Sequence, residues 1–150
     1  MFIHKMLSTG LGIGYIGKGA GSVAALFTCV CWYISWSGFH LYPQWPALIF
    51  TLIICIVGVW SSDRVEALWG KDHNRVVIDE VAGMSIALLF VPVSLSNICI
   101  AFLLFRFFDI AKPFYIRRLE NLKGGWGVMA DDALAGIYAN LVMQLYLILT

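Results

Sequence analysis

Charge is what this sequence has least of. Lys, Arg, Asp and Glu make up 13% of its 150 residues and hydrophobic residues 61%, whereas a soluble domain carries roughly 25% charge. That excludes an ordinary soluble domain and points to an integral membrane protein. The 10 Lys and Arg nearly balance the 9 Asp and Glu, so no bulk positive field exists to hold nucleic acid, and no nucleic-acid partner is expected. Cysteine is sparse. Cys29, Cys31, Cys55 and Cys99 all sit in apolar runs, and none forms a C-x-x-C pair. No disulfide framework or zinc cluster follows, and small buried hydrophobes is the plain reading. Proline is confined to Pro43, Pro46, Pro92 and Pro113, each at a break between apolar runs. Polar–apolar alternation is missing too. The runs are continuous, and an open sheet cannot satisfy its edges in lipid, so strands are not expected. The opening stretch, Met1 to Thr9, reads as too short and polar for a cleavable signal.

What the chain does have is five apolar runs: Val23 to Trp36, Ala47 to Trp60, Val81 to Val91, Ile98 to Phe105 and Ala133 to Leu149. Helices satisfy their own backbone groups in lipid. The expected fold is therefore all-α: one domain over residues 1–150, a polytopic membrane helical bundle of about four to five helices with catalytic loops on one face. With their flanks, the first, second and fifth runs reach the ~20 residues that a bilayer crossing needs. The third and fourth are shorter, and either gain length from flanking turns or form a buried hairpin. Traced as a zigzag, the runs leave every Lys, Arg, Asp and Glu on one side of the membrane. The positive-inside rule makes that side cytoplasmic.

Acidic residues close to a membrane are costly unless they bind something. Two pairs stand at junctions between polar and apolar sequence, Asp79-Glu80 and Asp131-Asp132. The pattern Asp-x-x-Ala-Gly occurs at both, over 79–83 and 132–136. Asp109 is a fifth acid, at the end of a helical run. Clustered carboxylates repel one another, and a hard divalent cation such as Mg²⁺ resolves the repulsion. Asp79, Glu80, Asp131 and Asp132 are the candidate metal ligands, and with Asp109 the candidate catalytic acids. Helix N-capping is the competing explanation. It accounts for one acid per junction but not for two pairs, nor for an acid at a helix C-terminus. Gly83 and Gly136 follow their aspartates by one turn on the same face, where glycine lets two helices approach closely. That packing is expected to bring the acidic ends together.

Three cations are candidates for holding a phosphate. Lys18 lies in a glycine-rich loop, Gly10 to Ser22, that opens onto a helix; flexibility without a ligand explains that loop equally well. Arg106 and Lys112 flank Asp109 in Phe105-Arg106-Phe107-Phe108-Asp109-Ile110-Ala111-Lys112-Pro113, where snorkelling to lipid headgroups is the alternative for Lys112. Arg117 and Arg118 read as an interfacial helix face. His4, His40 and His73 are scattered, and His73, beside Asp72, reads as a solvated loop residue.

Three blocks in order resemble the phosphatidylglycerophosphatase A family. They are Gly12 to Ser22, Ile78 to Met84, and the pair Phe105 to Pro113 with Gly127 to Gly136. The first departs from the family, which usually has Pro-Gly-Thr where this chain has Ala20-Gly21-Ser22. The resemblance implies Mg²⁺-dependent hydrolysis of a phospholipid substrate, phosphatidylglycerophosphate, to phosphatidylglycerol and phosphate, a step of phospholipid biosynthesis. It also implies an integral protein of the bacterial inner (cytoplasmic) membrane with its site on the cytoplasmic face. Other phosphatase chemistries lack their motifs. No cysteine starts a Cys-x₅-Arg loop, no Asp-x-Asp pair exists, and no Ser-x₅-His run is present. In the implied chemistry the carboxylates hold the cation, Glu80 or Asp109 serves as general base, and Lys18, Arg106 and Lys112 offset charge on the phosphoryl oxygens. Two other readings of the residues remain: a carboxylate-lined cation transporter or channel, and a non-catalytic membrane scaffold.

Overall fold

The computed structural model describes residues 1–39, 44–71 and 73–150, leaving His40, the predicted break at Pro43 and Asp72 outside the described residues. The described residues form seven α-helices and one 3₁₀ turn, with no strand. They are α1 (Phe2–Ser8), the turn Ile13–Ile16, α2 (Ala20–Phe39), α3 (Trp45–Trp69), α4 (Ile78–Leu88), α5 (Leu95–Ala111), α6 (Ile116–Leu119) and α7 (Gly125–Leu149). The expected all-helical bundle is what forms. The five predicted runs are its five larger helices, and α1 and α6 are additions. Three helices are long and apolar enough to cross a membrane: α2 over Ala20–Ser37, α3 and α7. At 1.5 Å per residue, α3 and α7 are each about 37 Å long, more than the ~30 Å hydrocarbon core.

The predicted boundaries fall short where polar sequence was taken to end a helix. α3 runs on from Trp60 to Trp69. Through that stretch Ser61, Ser62 and Val65 are buried while Asp63 and Arg64 are exposed. The helix thus keeps one buried face after its sequence turns polar, because polar residues on the open face cost it nothing. α7 likewise begins at Gly125, inside what reads as the flexible loop Gly124 to Gly127. These glycines are contact points. A Cβ on Gly125 would meet the backbone of Val59 and Asp63, so α7 starts hard against α3. The stretch 1–9 is helical rather than an irregular polar start, with Ser8 buried and Leu7 packed against the group that includes Val65 and Met129.

α4 lies at the centre. Eight of its residues are buried, among them Met84, Ala87 and Leu88. The main core gathers around it: Phe105 from α5, Ile116 from α6, and Ala135, Ala139 and Met143 from α7. The outward faces are apolar and open, with Ile56 70% exposed and Leu103 67%. Such faces suit lipid tails as neighbours. α5 starts on a capped turn, where Ser94 accepts a hydrogen bond from the Asn97 amide at 3.2 Å. The bundle therefore has two distinct ends. One collects the glycine-rich loop, the ends of α3 and α5, and the starts of α4 and α7; every acid considered above lies there.

Candidate active site

The chain enters the site through Val76 and Val77, which are buried and held by backbone bonds. The Val76 amide donates to His73 at 2.8 Å and the Val77 amide to Ser8 at 2.8 Å. Arg75 is fixed as well, its guanidinium lying 5.5 Å from the Tyr15 ring and 5.6 Å from that of Trp69. α4 then starts at Ile78, with Asp79 and Glu80 in its first turn and Val77 at the cap position. No side chain makes a cap bond there, so neither acid is an N-cap. Asp131 and Asp132 lie nearly two turns inside α7, far from any cap. The capping explanation fails at both junctions. The first-turn acids still gain from the positive end of the α4 dipole.

Two helices bring the acids together. Carboxylate oxygens of Asp79, Glu80 and Asp132 all lie within 4.8 Å of one another. Asp79 and Asp132 are buried and Glu80 is nearly so. Asp79 Oδ1, Glu80 Oε2 and Asp132 Oδ2 are buried oxygens with no hydrogen-bond partner among the described residues. Three acids cannot all ionise at this spacing out of water without a compensating charge. A hard divalent cation fits this donor set, since oxygen ligands of negative charge are what Mg²⁺ takes.

The other candidates surround this trio. The Asp132 carboxylate feels the charges of Glu80, Asp109 and Asp131. Asp109 is ion-paired with Arg106, three residues earlier in α5, which accounts for an acid at that helix's C-terminal end. Asp131 faces Lys112 instead of joining the trio, with Lys112 Nζ 2.7 Å from its Oδ2. Lys112 also pairs with Glu120. Burial works against the Lys112 charge, but Asp131 and Glu120 outweigh it and hold the ammonium above the ordinary lysine range. Lys112 sits in the left-handed region (φ 47°) as the residue that closes α5. That backbone turn, unusual for a non-glycine residue, aims its side chain back toward α7. So of the three predicted phosphate ligands, Arg106 and Lys112 stand beside the centre, already engaged with carboxylates. Lys18 is exposed on the loop before α2 and makes no ion pair among the described residues. His4 meets the Trp60 ring and His73 the Trp69 ring, each pair tilted.

Glycine sets the approach of the two helices. A Cβ on Gly136 would overlap the backbone of Gly83, and one on Gly83 would meet the Asp132 carbonyl oxygen at 2.6 Å and the Phe105 ring. α4 and α7 thus touch backbone to backbone one turn below the acids, as the paired glycines predict. Gly21 shows a contact that the sequence did not: a Cβ there would strike the Glu80 carboxylate. The first turn of α2 therefore backs directly onto the trio. The only sequence signal was a small residue in the glycine-rich block, which does not say what approaches it.

Fold and site together define an all-helical membrane protein with a buried carboxylate centre at one end of its bundle. The chain belongs to the phosphatidylglycerophosphatase A family, a family of phosphatases, whose model matches residues 6–147. Two curated relatives carry that name. The Haemophilus influenzae protein is 39% identical over 94% of this chain and 86% of its own length. The Escherichia coli protein is 33% identical over 88% of this chain and 76% of its own. A Bacteroides thetaiotaomicron relative, 37% identical over 92% of this chain and 89% of its own, bears a name that proposes a phosphatidylinositol-3-phosphatase. No solved structure matches the chain significantly.

Proposed function

We propose that this protein hydrolyses phosphatidylglycerophosphate to phosphatidylglycerol and inorganic phosphate, with Mg²⁺, at the cytoplasmic face of a bacterial inner membrane. The observation that carries the reading is the convergence of Asp79, Glu80 and Asp132, from two helices, into a buried trio with unsatisfied oxygens. Family membership supplies the substrate class. The relatives with this family name are bacterial, and the gathering of all Lys and Arg at one end supports the cytoplasmic side.

In this reading Asp79, Glu80 and Asp132 hold the cation. Bound there, it would supply charge neutralisation at the phosphoryl group and hold the attacking water. The remaining steps belong to the chain's own groups. Arg106, held by Asp109, presents donors to the phosphoryl oxygens as charge develops. Asp109 stands in reach of the same space to take the proton from the attacking water. The water oxygen bonds to phosphorus, the bond to the glycerol oxygen breaks, and Asp109 returns the proton to that oxygen as it leaves. Lys112 pairs with Asp131 beside the trio. The transporter reading expects acids spread through the depth of the bundle. These acids gather at one end instead.

The test is phosphate release by purified protein in detergent micelles, from phosphatidylglycerophosphate and in parallel from phosphatidylinositol 3-phosphate, with Mg²⁺ or with chelator. Release from the first lipid, lost on chelation, is the expected result. Equal release under chelation removes the cation from the mechanism, and faster release from the inositol lipid moves the substrate to that class. No release from either lipid sinks the reading.

A further inference from the structure

α4 stops inside the bundle, and α7 finishes it. An eleven-residue helix leaves carbonyls at its end short of partners: that of Ile86 accepts the Leu89 amide at 3.2 Å and that of Leu88 the Val91 amide at 3.2 Å, and in apolar surroundings each carbonyl still unmet is costly. Asn140 of α7 meets them. Its Nδ2 lies 3.1 Å from the Ile86 carbonyl oxygen, 3.1 Å from that of Ala87 and 2.7 Å from that of Leu89. Gln144, one turn on, adds contacts to Phe90 at 3.3 Å and Leu89 at 3.5 Å. Gln44, at the cap position before α3, accepts the Phe90 amide at 2.9 Å.

The three levels of the α4–α7 contact share one offset. Asn140 lies 53 residues after Ala87. Asp132 stands in the same relation to Asp79, and Gly136 to Gly83, each level one helical turn from the next. The helices therefore run parallel, with carboxylates at the top, glycines at the crossing and an amide at the bottom. The glycine level has no side chains to interlock, so it permits close approach without choosing a register. The amide level is directional: it is satisfied only when Asn140 faces the end of α4.

We propose that Asn140 is a positioning residue for the carboxylate centre. By holding the C-terminal end of α4 it sets the height and rotation of the N-terminal end, and so the spacing of Asp79 and Glu80 from Asp132. A slip of one residue moves α4 by about 1.5 Å and turns it by roughly 100°. Cation coordination tolerates distance errors of only about 0.2 Å. This rests on the reading that the trio binds a divalent cation.

The experiment measures Mn²⁺ binding to the purified full chain in detergent, from the electron paramagnetic resonance signal of the free ion, together with the thermal midpoint. Mn²⁺ is a suitable probe because carboxylate oxygens serve it as they serve Mg²⁺. Asn140→Leu should weaken Mn²⁺ binding about tenfold or more, the usual cost of losing an outer support of a metal site. Met143→Ala is the control. It empties a fully buried position on the same helix, lowers the midpoint, and should leave Mn²⁺ affinity within about twofold of wild type. Asn140→Ser keeps a shorter donor and should fall between, which preserves the test if the leucine variant does not fold. Wild-type affinity in the Asn140 variants, or an equal loss in Met143→Ala, overturns the proposal. Absence of Mn²⁺ binding by the wild-type chain overturns the underlying reading of the trio. Mn²⁺ binding without lipid hydrolysis overturns the proposed activity and leaves the role of Asn140 standing.

Discussion

Asp132 is a buried acid in repulsive company, which the fold alone does not favour. It is 3% exposed, it faces Glu80, Asp109 and Asp131, and one of its oxygens has no partner among the described residues. Neutralising it should relieve repulsion, so Asp132→Asn should raise the thermal midpoint of the cation-free protein by a few degrees. The same change should lower kcat by about a hundredfold or more. Mg²⁺ should raise the midpoint of the wild-type chain by mass action but not that of the variant. A scan of both proteins with and without Mg²⁺ decides it, and a cation-free midpoint that falls in Asp132→Asn contradicts the electrostatic argument. Lys112 is the opposite case, a charge that the fold needs. Lys112→Met leaves Asp131, 6% exposed, without its cation and should cost about 2 kcal/mol. The lysine charge is favoured by folding, so its contribution is complete below the unfolded lysine value of about 10.4. Above that it declines as pH rises, and it is gone past the higher folded value. The gap in thermal midpoint between wild type and Lys112→Met should then be flat from pH 7 to about pH 10.

At the scale of elements, the pairing of α4 with α7 was the most legible part of the fold. A repeated Asp-x-x-Ala-Gly encodes both what must meet and how closely, because the acid and the glycine share one helix face. Its strength can be measured. A methyl on Gly136 points at Gly83 backbone, which cannot yield, whereas one on Gly58 points at the flexible end of Met129. Gly136→Ala should therefore cost about 1–3 kcal/mol and most of the activity. Gly58→Ala, with helix propensity in its favour, should stay within about 1 kcal/mol of wild type. Thermal midpoints and phosphate release on the pair check this, and equal penalties would mean that the glycine crossing is not tight. Other elements were illegible for definite reasons. α1 has only seven residues, too short for a helical period to stand out from a polar start. The extension of α3 past Trp60 hides because leaving the apolar layer looks, in sequence, like ending a helix. The Lys112–Asp131 pair depends on a left-handed backbone turn at residue 112, which no local pattern demanded of a lysine. Asn140 in an apolar run reads the same whether it faces lipid or an unfinished helix.

Across the whole molecule, opposite charges are sorted by depth. Five of the nine acids form the centre or touch it, while only Arg106 and Lys112 among the ten Lys and Arg take part in ion pairs among the described residues. A cation bound at that centre would leave a rim that is positive on balance. The segment between α5 and α7 carries an exposed part of it: Arg117, Arg118 and Lys123 with Phe114, 80% exposed, and Tyr115, 64% exposed. Cations mixed with open aromatic rings match a leaflet surface that bears anionic headgroups. Each such cation near the surface is worth about 1 kcal/mol of attraction, and that attraction decays within a Debye length. Arg117→Ala combined with Arg118→Ala should therefore raise the apparent KM several-fold for substrate carried in anionic vesicles at low salt, with kcat held near wild type. The difference should shrink as salt rises to about 0.5 M, where the Debye length is only a few ångström. In neutral detergent micelles the same variant should match wild type at every salt concentration. A loss that persists in micelles, or that affects kcat and not KM, would place these arginines in the structure or the chemistry of the site instead of on its approach.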